Sequence, residues 1–154
     1  GSQAINKVIS EFRIKSEDIS ILHGVGRNNE VAPSSPHYKA VSYIDDMATC
    51  YLAADLLIAR SGAVTCAEAA ALAKYSLFIP LPIGNGEQKL NAQSLVNQGR
   101  AEVVAQSEFT PEWLDRNISH LINKSSQQTS DVHVEGRAAV DKIVKIIERA
   151  AGVK

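Results

Sequence analysis

Residues 54–92 contain two successive strand-to-helix transitions, each with a glycine at the turn. The first transition begins with the apolar run Leu56–Ala59, which is typical of a strand buried on both faces of a parallel sheet. The chain then turns at Arg60-Ser61-Gly62 and enters the segment Ala63–Ala73, which is rich in good helix formers and has no proline. This pattern predicts a strand that leads directly into a helix N-terminus.

The helix start after Gly62 is a candidate anion site. Exposed backbone N–H groups and the positive end of the helix dipole attract phosphate, and glycine lets a ligand approach the backbone closely. Glu68 lies six residues beyond Gly62, about 9 Å along the helix axis. This separation suits a pyrophosphate at the helix start and a ribose whose hydroxyls donate to the carboxylate. The alternatives are a tight turn that merely packs well and a solvated helix residue at Glu68.

The second transition runs from the strand Leu77–Pro80 through the glycine-containing loop Ile83–Gly86 to a helix that begins at Glu87. Near that helix start, Glu87, Gln88 and Asn91 offer carboxylate and amide groups. Such groups suit sugar hydroxyls, which both donate and accept hydrogen bonds. The alternative is an ordinary glycine-rich loop followed by a helix cap.

Strands and helices also alternate along the first part of the chain. Apolar residues at helical spacing from Ala4 to Phe12 predict an opening helix, and Ile19–His23 and Lys39–Ile44 are predicted strands. Asp46 is a candidate N-cap for a helix over Met47–Ala53.

The second part of the chain continues the alternation. The predicted elements are a helix Glu87–Gln98 with Gly99 as its left-handed C-cap, a strand Ala101–Ala105, a helix from Thr110-Pro111 to about Asn123, a polar loop over residues 124–130 and an amphipathic helix Val132–Ala151. This order predicts an α/β fold, an open and mostly parallel Rossmann-like sheet with helices on both faces. In such sheets ligands bind beyond the carboxyl ends of the strands.

Composition narrows the functional classes. The chain has 154 residues, the size of one domain, and its 16 basic and 17 acidic residues leave a net charge of −1. This balance, with 5% aromatic residues, argues against nucleic acid as a partner.

The four histidines are scattered and suggest no metal site; His23 in particular is expected to be a sheet residue. Without a signal peptide or an apolar run of about 20 residues, the chain is expected to be soluble, with Cys50 and Cys66 as packed, reduced thiols.

Three motifs in fixed order carry a family resemblance. YIDDM at 43–47, ADLLIARSGAVTCAE at 54–68 and FIPLPIGNGEQKLNA at 78–92 strongly resemble the C-terminal half of the MurG family of cell-wall glycosyltransferases, above all those of high-GC Gram-positive bacteria. The resemblance implies a GT-B enzyme with two Rossmann-like domains, whose C-terminal domain binds UDP-N-acetylglucosamine. It implies inverting transfer of N-acetylglucosamine to a lipid-linked N-acetylmuramyl-pentapeptide at the cytoplasmic side of the bacterial plasma membrane, with no cofactor or metal.

The resemblance also implies roles for individual residues. The backbone of Ile44 would face the uracil, the turn and helix start from Ser61 to Thr65 would approach the phosphates, and Glu68 would accept the ribose hydroxyls. Gln88, with its neighbours, would hold the N-acetylglucosamine. The implied donor-binding residues are Ile44, Ser61, Gly62, Ala63, Val64, Thr65, Glu68, Glu87, Gln88 and Asn91.

Several features depart from the family pattern. Glu87 stands where many relatives have glutamine, and Ala73-Lys74-Tyr75 replaces a common Gly-x-Pro. The acceptor-binding N-terminal domain, the catalytic base expected there and the first strand of the sheet are missing, which predicts that residues 1–154 are the donor-binding fragment of a two-domain enzyme. Gly1-Ser2 is either a purification scar or the end of a glycine loop. The remaining alternatives are another GT-B UDP-sugar transferase acting on a glycolipid and a non-catalytic UDP-sugar-binding subunit.

Overall fold

The computed structural model of the protein describes residues 2–12, 19–83 and 85–128. Its helices are α1 (Gln3–Glu11), α2 (Met47–Ala53), α3 (Ala63–Ala71) and α4 (Glu87–Asn97), and residues 111–128 are also helical. Its strands are β1 (Ile21–Gly24), β2 (Tyr38–Val41), β3 (Leu56–Ala59), β4 (Tyr75–Phe78) and β5 (Ala101–Val103). The predicted amphipathic helix Val132–Ala151 lies outside the described residues, as do Gly1 and Gly84.

The five strands form two sheets. β1 pairs with β2, and β3, β4 and β5 pair in that order. All pairs of these strands are parallel. Helices connect β3 to β4 and β4 to β5, as parallel pairing requires a crossover, whereas residues 25–37 connect β1 to β2 without a helix. Within the described strands, β1 and β3 each have a partner on one side only. None of the helices in these ranges is long and apolar enough to cross a bilayer.

Helices cover both faces of the β3–β4–β5 sheet. Leu77 of β4 is fully buried in a core shared with α1 and the helix over residues 111–128. Phe78, the next residue, is fully buried in a second core with α3 and α4. Because successive side chains of a strand point to opposite faces, these two cores form separate layers. The predicted α/β class with helices on both faces is therefore confirmed.

The first core also joins the two sheets. Ile5, Val8 and Ile9, at helical spacing on α1, are buried in it. Ile21 of β1 and Ile58 of β3 pack against the same core. One amphipathic helix thus bridges the pair β1–β2 and the three-stranded sheet, because its apolar stripe must be buried against both.

Some predicted boundaries are wrong. The second strand ends at Val41 rather than Ile44, since residues 42–46 bend toward α2. The strand predicted over Leu77–Pro80 is β4, which begins at Tyr75 and ends at Phe78. Residues in β3 are half-buried rather than fully buried, because β3 has a partner on one side only among the described strands. β4, in the centre, is buried throughout.

The helix from residue 111 is longer than predicted and continues to residue 128 through the expected polar loop. Its start is as expected, with Thr110 Oγ1 accepting a hydrogen bond from Trp113 N over 3.1 Å. Ser125 is buried and donates to the Asp55 carbonyl, while Gln128 donates to the Gly99 carbonyl. These tertiary bonds give the polar residues partners that periodicity does not reveal.

Helix ends follow local chemistry with one exception. Asp46 caps α2, accepting from Thr49 N over 3.0 Å, and hydrogen bonding from the Thr49 side chain and then from its backbone N–H lowers the pKa of the Asp46 carboxyl. Gly99 after α4 has φ 69°, as predicted. After α3, Ala73 takes the left-handed conformation that glycine favours, with φ 52°. Lys74 then donates to the carbonyls of Leu52 and Ala54 at the end of α2.

Candidate donor-binding site

The carboxyl end of β3 delivers the chain to α3 as the sequence predicts. Gly62 is the N-cap of α3, and no side chain caps the helix there. The first N–H groups of an α-helix have no partner within the helix, so the backbone of residues 63–65 presents donors at this position. Ser61 is fully buried, and its Oγ has no hydrogen-bond partner among the described residues. This turn has the donors and the positive dipole end that an anion requires.

The carboxyl end of β4 delivers the chain to α4 in the adjacent position. Gly86, before α4, has φ 78° and is left-handed, a conformation that favours glycine. Leu81 N donates to Gln88 Oε1 over 2.9 Å. Since the Gln88 carbonyl oxygen is engaged by the protein, its Nε2 group is left to donate to a ligand.

A hydrogen bond joins the two transitions. Asn91 Nδ2 on α4 donates to the carbonyl of Ser61 over 3.1 Å. This bond fixes the orientation of the Asn91 amide and leaves its Oδ1 as an acceptor. Gln88 therefore supplies donors and Asn91 an acceptor, a combination that matches groups which both give and receive hydrogen bonds.

Glu68 lies on α3 and is held by a residue that sequence reasoning missed. Tyr51 on α2 is buried, and its hydroxyl donates to Glu68 Oε2 over 3.0 Å. Burial, with the hydrogen bond to Glu68 and the charge of that carboxylate, raises the pKa of Tyr51 to about 12. The hydroxyl is therefore a permanent donor at neutral pH, and the half-buried carboxylate keeps Oε1 for another partner. The one sequence signal was an apolar position in a short helix, which does not indicate a carboxylate partner.

Two predicted residues lie apart from this hydrogen-bonded set. Ile44 follows β2, and its Cδ1 lies 3.1 Å from the position that a Cβ on Gly24 would occupy. Glu87 is exposed at the start of α4, where its negative charge is favourable to the helix dipole. Neither has a described hydrogen bond to Ser61, Glu68 or Asn91.

Arg60 is a second residue that sequence reasoning did not single out. It follows β3 directly, and its guanidinium Nη1 donates to the carbonyls of Ile79 and Pro80 over 2.9 and 3.2 Å. Nη2 donates to Gln106 Oε1 over 2.6 Å. Burial lowers the pKa of Arg60. The side chain therefore ties together the carboxyl ends of all three strands of the larger sheet.

His23 is a sheet residue with structural partners. Its Nε2 lies 3.1 Å from Asn6 Oδ1, and its Nδ1 lies 2.9 Å from the Tyr38 hydroxyl. Because Asn6 Nδ2 donates to Val25 O, Asn6 Oδ1 must accept, so His23 carries its proton on Nε2 and Tyr38 donates to Nδ1. Across residues 2–12, 19–83 and 85–128 there is no group of three His, Cys, Asp or Glu side chains placed to hold a metal ion.

The sequence that forms these two strand-to-helix transitions belongs to a known domain family. The sequence model of the glycosyltransferase family 28 C-terminal domain matches residues 1–147. The chain belongs to this family. The family resemblance found in the three motifs is confirmed.

Sequence relatives of this family-28 domain carry a consistent name. Proteins from Streptomyces coelicolor and Corynebacterium diphtheriae are 43% and 46% identical over 125 and 115 residues, or 77% and 73% of the chain. Both are named UDP-N-acetylglucosamine--N-acetylmuramyl-(pentapeptide) pyrophosphoryl-undecaprenol N-acetylglucosamine transferase. The match covers 34% and 32% of those proteins, so the family-28 domain spans about a third of their length.

Solved structures agree on the fold. The crystal structure of Acinetobacter baumannii MurG matches 97% of the chain with a TM-score of 0.68 and 29% sequence identity, and the match covers 49% of that protein. The match to a glycosyltransferase of kitacinnamycin covers 96% of the chain and 38% of that protein, with a TM-score of 0.61. At 19% identity this second likeness concerns the fold alone.

Proposed function

We propose that this family-28 domain is the donor-binding half of an N-acetylglucosaminyltransferase that acts on a lipid-linked N-acetylmuramyl-pentapeptide in peptidoglycan synthesis. The observation that carries the proposal is the bond between Asn91 and Ser61, which couples a helix start suited to phosphate with a helix start suited to sugar. The names of the sequence relatives support the choice of donor and acceptor.

In the proposed complex the first turn of α3 binds the pyrophosphate of UDP-N-acetylglucosamine through backbone N–H groups and the turn at Ser61-Gly62. Glu68 accepts hydrogen bonds from the two ribose hydroxyls with its remaining carboxylate capacity. The backbone of Ile44 faces the uracil. This division follows from charge, since the dipole end of α3 suits the anion and a carboxylate suits hydroxyl donors.

The sugar lies at the start of α4 in this proposal. Gln88 donates through Nε2 and Asn91 accepts through Oδ1, while Glu87 contributes a carboxylate at the rim. When the bond from the sugar to UDP breaks, negative charge develops on the departing phosphate. The N–H groups at the start of α3 stabilise this charge.

The acceptor and the catalytic base are assigned to a second domain of the same enzyme. The strand pattern supports a longer sheet, since β1 and β3 lack a partner on one side within the described strands while α1 packs beneath both. We propose that a further parallel strand lies between β1 and β3 and that the intact enzyme works at the cytoplasmic face of the membrane, where its lipid-linked acceptor lies.

Calorimetry on the full-length protein tests the proposed donor. UDP-N-acetylglucosamine is expected to bind with measurable heat, and UDP-glucose, which lacks the N-acetyl group, is expected to bind more weakly. Equal Kd values for the two sugar nucleotides would refute the assignment of the donor. Competition by other UDP-sugars then separates this activity from that of a transferase with another donor.

A further inference from the structure

Arg60 holds two backbone carbonyls at the exit of β4. These belong to Ile79 and Pro80, the residues immediately before the loop that leads to α4. The planar guanidinium reaches both from one nitrogen and keeps its second nitrogen on Gln106. This fixed fork orients a peptide segment in a way that a flexible ammonium group does not.

The held segment includes the group that orients Gln88. Leu81, next after Pro80, donates its N–H to Gln88 Oε1 over 2.9 Å. Any rotation of the Pro80–Leu81 peptide moves this N–H, and with it the Gln88 amide. Arg60 therefore acts on Gln88 through one peptide unit, since its described hydrogen bonds go to Ile79, Pro80 and Gln106.

The chemistry of the contacts indicates positioning rather than charge pairing. Among the described residues, the hydrogen-bond acceptors of Arg60 are carbonyl and amide oxygens, and burial lowers the pKa of its guanidinium. A partly buried cation whose partners in the described part of the chain are all neutral is costly to maintain. The property that distinguishes Arg60 from a neutral side chain at this position is the fixed planar geometry of its donors.

We propose that Arg60 is a positioning residue that sets the sugar preference of the donor site by orienting Gln88 through the β4 exit. The proposal rests on the assignment of Gln88 to the sugar of UDP-N-acetylglucosamine. Arg60 does not contact the ligand in this scheme. Its effect appears in binding of the sugar and not in binding of the nucleotide.

The test compares Kd values for UDP and UDP-N-acetylglucosamine in the full-length protein. Arg60→Lys keeps the charge but loses the fork, and it is expected to weaken UDP-N-acetylglucosamine about tenfold while changing UDP less than about twofold. In a Gln88→Ala background the same substitution is expected to have no further effect on the sugar nucleotide. Equal weakening of both ligands, no weakening of either, or an undiminished effect in the Gln88→Ala background overturns the proposal.

Arg100→Lys is the matched control. Arg100 also donates to a backbone carbonyl, that of Ala70 over 3.2 Å, but it precedes β5 and so lies at the opposite end of the sheet. It is expected to leave both Kd values unchanged. If Arg60→Lys does not fold, Gln106→Ala frees one side of the guanidinium and is expected to give a smaller selective loss of sugar affinity; no selective loss there overturns the proposal.

Failure of the proposed donor and failure of the positioning role of Arg60 give different results. If the wild-type protein binds UDP-N-acetylglucosamine no better than UDP-glucose, the proposed donor is wrong. If the wild type shows that preference and Arg60→Lys retains it in full, the donor stands and the positioning role of Arg60 is refuted.

Discussion

The hydroxyl of Tyr51 donates a hydrogen bond to Glu68 Oε2 over 3.0 Å and joins α2 to α3. Tyr51 is 5% exposed, so this donor is fixed by packing and is not replaced by water. The bond limits the rotamers of the carboxylate proposed to bind ribose. It therefore converts a half-buried helix residue into an oriented acceptor.

We expect Tyr51→Phe to weaken UDP binding about threefold to tenfold, because Glu68 loses the hydrogen bond that orients its carboxylate, and ordering the freed side chain on binding costs about 0.5–1.5 kcal/mol. Calorimetry with UDP measures the change. In a Glu68→Ala background, Tyr51→Phe is expected to have no further effect on UDP affinity. An equal loss in both backgrounds would indicate that Tyr51 acts on the nucleotide by another route.

Glu68→Ala is expected to weaken UDP binding at least tenfold without unfolding the domain. The carboxylate is half-buried and has no role in either core, while hydrogen bonds from hydroxyls to a charged group contribute about 1.5–3 kcal/mol each. Calorimetry gives the Kd and thermal unfolding confirms the fold. Comparison of UDP with 2′-deoxy-UDP supplies the control, since the variant is expected to bind both alike. An unchanged UDP affinity removes the ribose assignment.

Ala73→Gly is expected to stabilise the protein by about 0.5–1 kcal/mol. Ala73 has φ 52°, a conformation that is sterically costly for alanine and not for glycine. Urea denaturation measures the free energy of unfolding. Ala67→Gly, in the exposed interior of α3 where φ is helical, is the control and is expected to destabilise by about 1 kcal/mol. Destabilisation by both substitutions would contradict the argument.

His23 is expected to make stability depend on pH. Burial lowers its pKa from the ordinary value of 6.5, so between that value and the lower folded pKa the unfolded chain binds more protons than the native protein. The free energy of unfolding that depends on His23 is fully present above pH 6.5 and falls as the pH drops through that interval. The slope is at most about 1.4 kcal/mol per pH unit. Urea midpoints of wild type and His23→Gln between pH 7.5 and 5 measure it. A wild-type slope no steeper than that of the variant would contradict the expectation.

Part of the candidate site was predictable because its determinants are local. The turn at Gly62, the start of α3 at Ala63 and the start of α4 at Glu87 appear in the structure as predicted, since glycine turns and helix-forming runs act within a few residues. The parallel sheet follows from the alternation of strands and helices. The roles of the individual residues from Ile44 to Asn91 remain predictions.

Other predictions failed where packing overrides the local pattern. Residues 124–128 are polar and yet helical, because Ser125 and Gln128 find backbone acceptors on distant segments. β3 has the composition of a strand buried on both faces but is half-exposed, because its environment depends on which strands lie beside it. A sequence window contains no information on neighbours that are far away along the chain.

The sequence by itself determined the α/β class, the two strand-to-helix transitions and the family, since these depend on periodicity, turn residues and ordered motifs. Only the tertiary structure decided which side chains hold the site in shape. Tyr51 reaches Glu68 across 17 positions, Arg60 reaches Gln106 across 46, and Asn91 reaches Ser61 across 30. Such partners are chosen by the relative placement of packed elements, because a hydrogen bond requires donor and acceptor within about 3 Å whatever their separation in sequence.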